Sequence, residues 1–216
     1  MSENTASGVE IHPSTVVKSV CYIRRIEIAY HCRFGSRQAI RCTGRNTRPT
    51  LDRVKEAMFG MIQFDIENTQ VLDLFSGSGS LGLEALSRGG AHCVFCDSDK
   101  KSIQVIKHNV EALGFGGRSE VLFGDAFALL PLLSAEKRRF SLVLLDPPYE
   151  SDFYSRAVNE LARLNLLEDG CIILAEHAFK RPPQFDCPNI SCGKTHKYGD
   201  AAVTKIIYSE QREEQS

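Results

Sequence analysis

Short apolar runs alternate with stretches of helical spacing through most of the chain. VLDLF (71–75), HCVFC (92–96), EVLF (120–123), LVLLD (142–146) and CIILAE (171–176) read as buried strands. Between them, SGSGSLG leads into a helix through Glu84, Ala85 and Leu86. KKSIQVIKHNVEAL forms an amphipathic helix ending at Gly114, AFALLPLLS a short helix interrupted by Pro131, and YSRAVNELARL a fourth helix. Two more strand candidates lie around Ile190–Thr195 and Ala202–Tyr208. Strands and helices alternating at these lengths predict an α/β fold with a doubly wound, mostly parallel sheet. On such sheets ligands bind beyond the carboxyl ends of the strands, near the switch point.

The first quarter of the chain is patterned differently. Leu51, Val54, Ala57, Met58, Met61 and Ile62 recur at helical spacing, with Thr50 ahead of them as the expected N-cap. Residues 20–42 alternate loosely (Val20, Tyr22, Ile26, Ile28, Tyr30, Phe34, Ile40), which predicts a small hairpin turned at Gly35 and Ser36. Residues 1–17 are polar and without periodicity, a frayed tail. The expected organisation is therefore a tail at 1–17, a basic extension at 18–48 and a catalytic domain at 49–216.

Composition narrows the class without naming a function. The chain has 216 residues, 43% hydrophobic and 25% charged, ordinary values for a soluble domain. It has no apolar run of membrane-spanning length, and its first twenty residues lack the pattern of a signal peptide. Eight cysteines in that context read as reduced thiols, so a cytoplasmic location is expected. Net charge is −1, but Val16–Gly60 holds ten basic residues against three acids, leaving the remainder at −8. Eight of those ten cations are arginine, whose planar fork fits phosphate. Such asymmetry is the footprint of a nucleic-acid-binding arm, and also of a solvated basic face.

Gly77-Ser78-Gly79-Ser80-Leu81-Gly82 matches G-x-G-x-x-G directly after a strand. Glycine at 77 and 79 lets a ligand lie against the backbone, while Gly82 permits close packing. Asp97, twenty residues beyond Gly77, is placed to accept from ribose hydroxyls. Asp73, four residues before Gly77, would repel a pyrophosphate but suits a cationic, amino-acid-bearing ligand such as S-adenosylmethionine; it can equally cap the glycine turn. Asp125 can meet an adenine amino group or cap the helix that follows. The fourth strand runs into Asp146-Pro147-Pro148-Tyr149. The prolines end the strand in extended backbone. Asp146 and the Pro147 carbonyl form a paired acceptor for an exocyclic amine, and Tyr149 offers a flat face to a flipped base.

RPTLDRVKEAMF, VLDLFSGSGSLGLEALSRG, LVLLDPPY and KYGD, in that order over residues 40–208, resemble the bacterial 16S rRNA guanine-N2 methyltransferases of the RsmD type. The resemblance implies the class I S-adenosylmethionine-dependent methyltransferase fold, seven strands with the last antiparallel, plus a small basic N-terminal hairpin. It implies methyl transfer from S-adenosylmethionine to a guanine 2-amino group of 16S rRNA, within a small ribosomal subunit or its assembly intermediate, by a monomer. By position, Asp73, Phe75, Ser76, Gly77, Ser78 and Gly79 would form the cofactor loop. Asp97 would meet the ribose, Asp125 and Ala126 the adenine, and Asp146, Pro147, Pro148 and Tyr149 the target base. Arg33, Arg37, Arg41, Arg45 and Arg48 would contact RNA phosphates. YIRRIEIAYHCRFGSRQAI departs from the family's glycine-containing hairpin, which bears on docking more than on chemistry.

Other readings rest on single features. An adenine-N6 methyltransferase on DNA or RNA shares the acceptor logic of DPPY. A nicotinamide oxidoreductase would use the glycine loop but not DPPY, and a non-catalytic RNA-binding module would need neither. Cys93 and Cys96, three apart in a strand, face opposite sides and suit no shared ligation. Cys187, Cys192 and His196 match no zinc spacing, so no metal is expected. Glu176 and His177 either border the site or belong to a strand-end loop.

Overall fold

The computed structural model describes residues 49–147, 153–185 and 187–210. The expected tail, the basic extension with Arg33, Arg37, Arg41, Arg45 and Arg48, and the site residues Pro148 and Tyr149 lie outside them. Seven strands form one sheet: β1 (Gln70–Asp73), β2 (His92–Asp97), β3 (Ser119–Phe123), β4 (Phe140–Leu145), β5 (Leu167–Ala178), β6 (Ile190–Tyr198) and β7 (Ala201–Tyr208). Their order is β3-β2-β1-β4-β5-β7-β6. The first five run parallel, and β7 is antiparallel to both β5 and β6. The winding reverses between β1 and β4, so the ligand crevice of such a sheet falls where those two strands end.

Helices cover both faces, which is why the central strands are apolar on both sides. On one face, Leu72, Val94, Val143 and Leu145 pack with α4 (Ala126–Ala135) and α5 (Phe153–Arg163). On the other, Val71, Cys93, Phe95, Leu142 and Leu144 meet α1 (Pro49–Gly60), α2 (Ser80–Ser87) and α3 (Lys100–Ala112). Cys93 and Cys96 do fall on opposite faces, and burial pushes both thiols up in pKa.

Several details differ from the sequence reading. Among the described residues α1 spans Pro49–Gly60, which places Thr50 within the helix rather than ahead of it. α4 continues through Pro131 instead of breaking there. The N–H that Pro131 lacks is lost on the exposed side, while Leu129, Leu130 and Leu133 hold the helix to the core. β5 extends well beyond CIILAE at both ends, because β7 pairs with it through Ala178 and Phe140 pairs with Leu167. Lys55, counted with the basic stretch, is only 6% exposed, and its Nζ lies 4.0 Å from Glu84 of α2, which also binds Arg88 at 2.7 Å. That cation fastens α1 to α2 and is withdrawn from any RNA-facing surface.

Gly82 is fixed by packing. A Cβ there would lie 2.4 Å from the Phe95 ring and 2.7 Å from Cys93 Sγ. Overpacking of this kind costs about 1–3 kcal/mol, more than the helix propensity gained from alanine. Gly82→Ala is therefore expected to lower the urea midpoint, and an unchanged midpoint would show that α2 can shift freely.

Candidate active site

The loop between β1 and α2 is shaped by its own backbone. Gly77 and Gly79 take positive φ (54° and 79°), conformations that favour glycine. Gly79 N–H donates to the Ser76 carbonyl at 2.7 Å, and Ser76 Oγ donates to the Asp73 carbonyl while accepting from Cys96 N–H. Asn109 of α3, 1% exposed, donates from Nδ2 to the Ser78 carbonyl at 3.0 Å. The sequence reading missed this tether. Its signal was an amide set in the apolar stripe of Ile103, Ile106 and Val110.

Asp73 turns out to be a buried brace. It is 1% exposed, and its Oδ2 accepts from Gly82 N–H at 2.9 Å. Gly79 supplies no side-chain cap, so the carboxylate from β1 satisfies an opening N–H of α2 instead. A pyrophosphate would find that donor already taken. Desolvation pushes the Asp73 pKa up to about 7 against the bond from Gly82, with the charges of Asp146 and Asp97 adding to the rise.

Asp97 ends β2 half-buried, accepting Gly77 N–H at 2.7 Å on Oδ2 and Asp99 N–H at 2.8 Å on Oδ1. Each oxygen keeps a further lone pair for a hydroxyl donor. Asp125 caps α4, its exposed carboxylate accepting from Phe127 and Ala128 N–H on Oδ1. The capping role is thus present, and Oδ2 takes neither donor. Ala126 is the buried first residue of α4.

Asp146 follows β4 with surface open to solvent, yet the protein packed around it removes enough water to raise its pKa to about 6. Pro147 beside it is buried. Asp73, Asp97 and Asp146 thus converge electrostatically at the ends of β1, β2 and β4, a site that disfavours further negative charge. Three phenylalanines, one of them in the loop itself, are linked by ring contacts. Phe75 and Phe153 lie 5.8 Å apart between centroids, Phe153 stacks on Phe127 at 5.7 Å, and Arg156 sits 3.7 Å above Phe127. Phe127 and Phe153 were not anticipated, since phenylalanines in helices read as core.

Glu176 and His177 are both buried near the end of β5. His177 Nδ1 lies 3.1 Å from the Ala178 carbonyl, which requires a proton on Nδ1; Nε2 then accepts from Thr204 at 2.9 Å. The Tyr154 hydroxyl donates to the Glu176 carbonyl. His177 is therefore a satisfied structural histidine. Among the described residues no three His, Cys, Asp or Glu side chains could hold a metal, and no helix is long and apolar enough to cross a membrane.

Comparison with known proteins agrees with this architecture. The family model described as "Conserved hypothetical protein 95" matches residues 33–207. "Putative rRNA methyltransferase YlbH" of Bacillus subtilis is 40% identical over 134 residues, 62% of this chain and 73% of that protein. "Ribosomal RNA small subunit methyltransferase D" of Haemophilus influenzae is 32% identical over 135 residues, 62% of this chain and 70% of that one. The solved structure "Putative methyltransferase yhhF from Escherichia coli" superposes with a TM-score of 0.73 at 26% identity, covering 86% of this chain and 99% of that one.

The position of Asp97 yields a direct expectation. Asp97→Ala should weaken S-adenosylmethionine binding by about 1.5–3 kcal/mol, the worth of a hydrogen bond to a charged group, and should also lower the melting temperature, because the Gly77 and Asp99 N–H groups lose their acceptor. Unchanged affinity by calorimetry would exclude the ribose role.

Proposed function

The chain belongs to the family described as "Conserved hypothetical protein 95", and from that premise we propose that it methylates the 2-amino group of a guanine in small-subunit rRNA. S-adenosylmethionine is the methyl donor. The observation that carries this reading is the electrostatic convergence of Asp73, Asp97 and Asp146 beside an open glycine loop. A Cβ added at Gly77 would meet no atom within 4 Å, so the backbone there is accessible to a ligand. The carboxylates suit a ligand that carries an ammonium and a sulfonium and no phosphate. The relatives' names supply the RNA substrate, and the DPPY motif supplies the amine.

The donor supplies an electrophilic methyl group; the chain supplies everything else. Asp97 holds the ribose hydroxyls while keeping Gly77 in place. Asp125 turns its uncommitted oxygen to the adenine amino group, and Phe75, Phe127 and Phe153 form an apolar wall nearby. An aromatic amine is a weak nucleophile because its lone pair is delocalised into the ring. Asp146 and the Pro147 carbonyl, accepting its two hydrogens, favour a pyramidal nitrogen and stabilise the positive charge that grows there. The proton is lost to water afterwards, so Asp146 need not be a full general base. Tyr149 stacks on the extruded base. The basic extension at 18–48 grips the RNA backbone through Arg33, Arg37, Arg41, Arg45 and Arg48.

Single-turnover methylation of 16S rRNA and of small subunits at saturating donor tests this assignment. Asp146→Ala should slow the step by roughly 10²-fold or more, as does removal of one preorganised partner of developing charge. Because burial raises the Asp146 pKa to about 6 and the ionised form is the acceptor, kcat/KM should fall as pH drops through that value. An Asp146→Ala enzyme at wild-type rate, or an acid limb unaffected by the substitution, would contradict the mechanism.

A further inference from the structure

The KYGD segment has no part in the chemistry above, yet the sheet brings it to the active-site end. β5 runs parallel to β4 with Ala175 opposite Leu145, so Glu176–Ala178 continue past the row of Asp146. β7 starts with Ala201 opposite Ala178, and β6 ends with Tyr198 opposite Ala201. The turn after β5 and the hairpin joining β6 to β7 therefore meet on one rim. By strand geometry this rim rises about 10 Å beyond the end of β4.

The rim has a definite construction. Phe179 N–H donates to the Asp200 carbonyl at 2.9 Å, and Gly199 makes the hairpin turn at φ 66°. This sets Lys197 Nζ 4.2 Å from the centroid of the Phe179 ring, which is 41% exposed. Lys180 and Arg181 follow Phe179 in the chain and Lys194 lies three residues before Lys197 on β6; all three are exposed, and among the described residues none of these four cations makes an ion pair. By sequence, residues 178–200 hold these four cations against two acids, Asp186 and Asp200. This cationic edge stands out, because the chain outside Val16–Gly60 carries −8. An RNA strand approaching the carboxylates of the site is repelled, and the rim supplies the opposite charge beside them.

We propose that this rim is a second RNA-binding surface, separate from the basic extension, holding the single-stranded nucleotides that flank the target base. The ring face of Phe179 that Lys197 does not cover is its stacking platform, and Lys180, Arg181, Lys194 and Lys197 engage the phosphates. An exposed aromatic ring set among unpaired cations is the arrangement that binds single strands without reading sequence. The role of KYGD is then to pin Lys197 over Phe179. This inference rests on the reading of the substrate as RNA.

The test is a salt titration of RNA binding by the full chain, using a single-stranded 16S rRNA fragment. Lys180→Gln, Lys194→Gln and Lys197→Gln together should flatten the slope of log affinity against log salt by roughly 0.7–0.9 for each phosphate no longer neutralised. Lys101→Gln, Lys107→Gln and Lys137→Gln, an equal charge change away from the rim, should leave the slope alone. Phe179→Ala should weaken binding about tenfold, within the range expected for removing one base stack, with its slope unchanged. Melting temperature and S-adenosylmethionine affinity should match wild type in every variant. Equal slopes for the two triple variants, together with an unaffected Phe179→Ala, would overturn the rim. Wild-type protein that binds RNA but transfers no methyl would instead contradict the functional reading, with the rim still decided by the titration.

Discussion

The bond from Gly82 N–H to the buried Asp73 carboxylate fixes the geometry on which the site depends. It joins the end of β1 to the first turn of α2 and closes the glycine loop from behind. Cβ-free packing of Gly82 against Phe95 makes that approach possible. Asp97 binds Gly77 on the far side, and Asn109 holds the Ser78 carbonyl from α3. The loop is thus held from three directions before any ligand arrives. The preorganisation has an electrostatic cost, since Asp73 is desolvated and faces two other carboxylates. A cationic ligand relieves that strain, whereas a pyrophosphate would add to it.

The same carboxylates create a problem for an RNA substrate, which is itself an anion. The chain separates the two requirements in space. Negative charge gathers at the ends of β1, β2 and β4, around Asp73, Asp97 and Asp146. Positive charge gathers in residues 16–60 and, on the folded sheet, along the rim of Phe179 and Lys197. Within the basic stretch, Lys55 shows that sequence position does not settle a cation's role. It is buried against Glu84 and fastens α1, the helix that follows the arginine-rich segment, to the helix that follows the glycine loop.

Local patterning carried much of the architecture. The continuous apolar runs of the central strands are visible because both faces of the sheet are covered, and the class I topology followed from the resemblance. What stayed hidden depended on partners far away in sequence. β5 is long because β7 pairs with it through Ala178 at one end and Phe140 pairs with Leu167 at the other, which no run of apolar residues announces. Pro131 reads as a helix break because the sequence does not reveal which side faces solvent. In the site, glycines and aspartates stood out as residue types, but their partners did not: Asp73 was legible as a carboxylate near the loop, not as the brace of α2. Asn109 holds the loop, and Phe153 with Phe127 behind it meets Phe75, from helix positions that look like ordinary packing.

On the proposed function, a guanine 2-amino group accepts the methyl. Transfer from methyl-labelled S-adenosylmethionine to 16S rRNA and to small ribosomal subunits, followed by digestion and mass analysis of the labelled nucleoside, tests it most directly. Label is expected in N2-methylguanosine, and in no other nucleoside. Label recovered as N6-methyladenosine, or no label on either substrate, would contradict it.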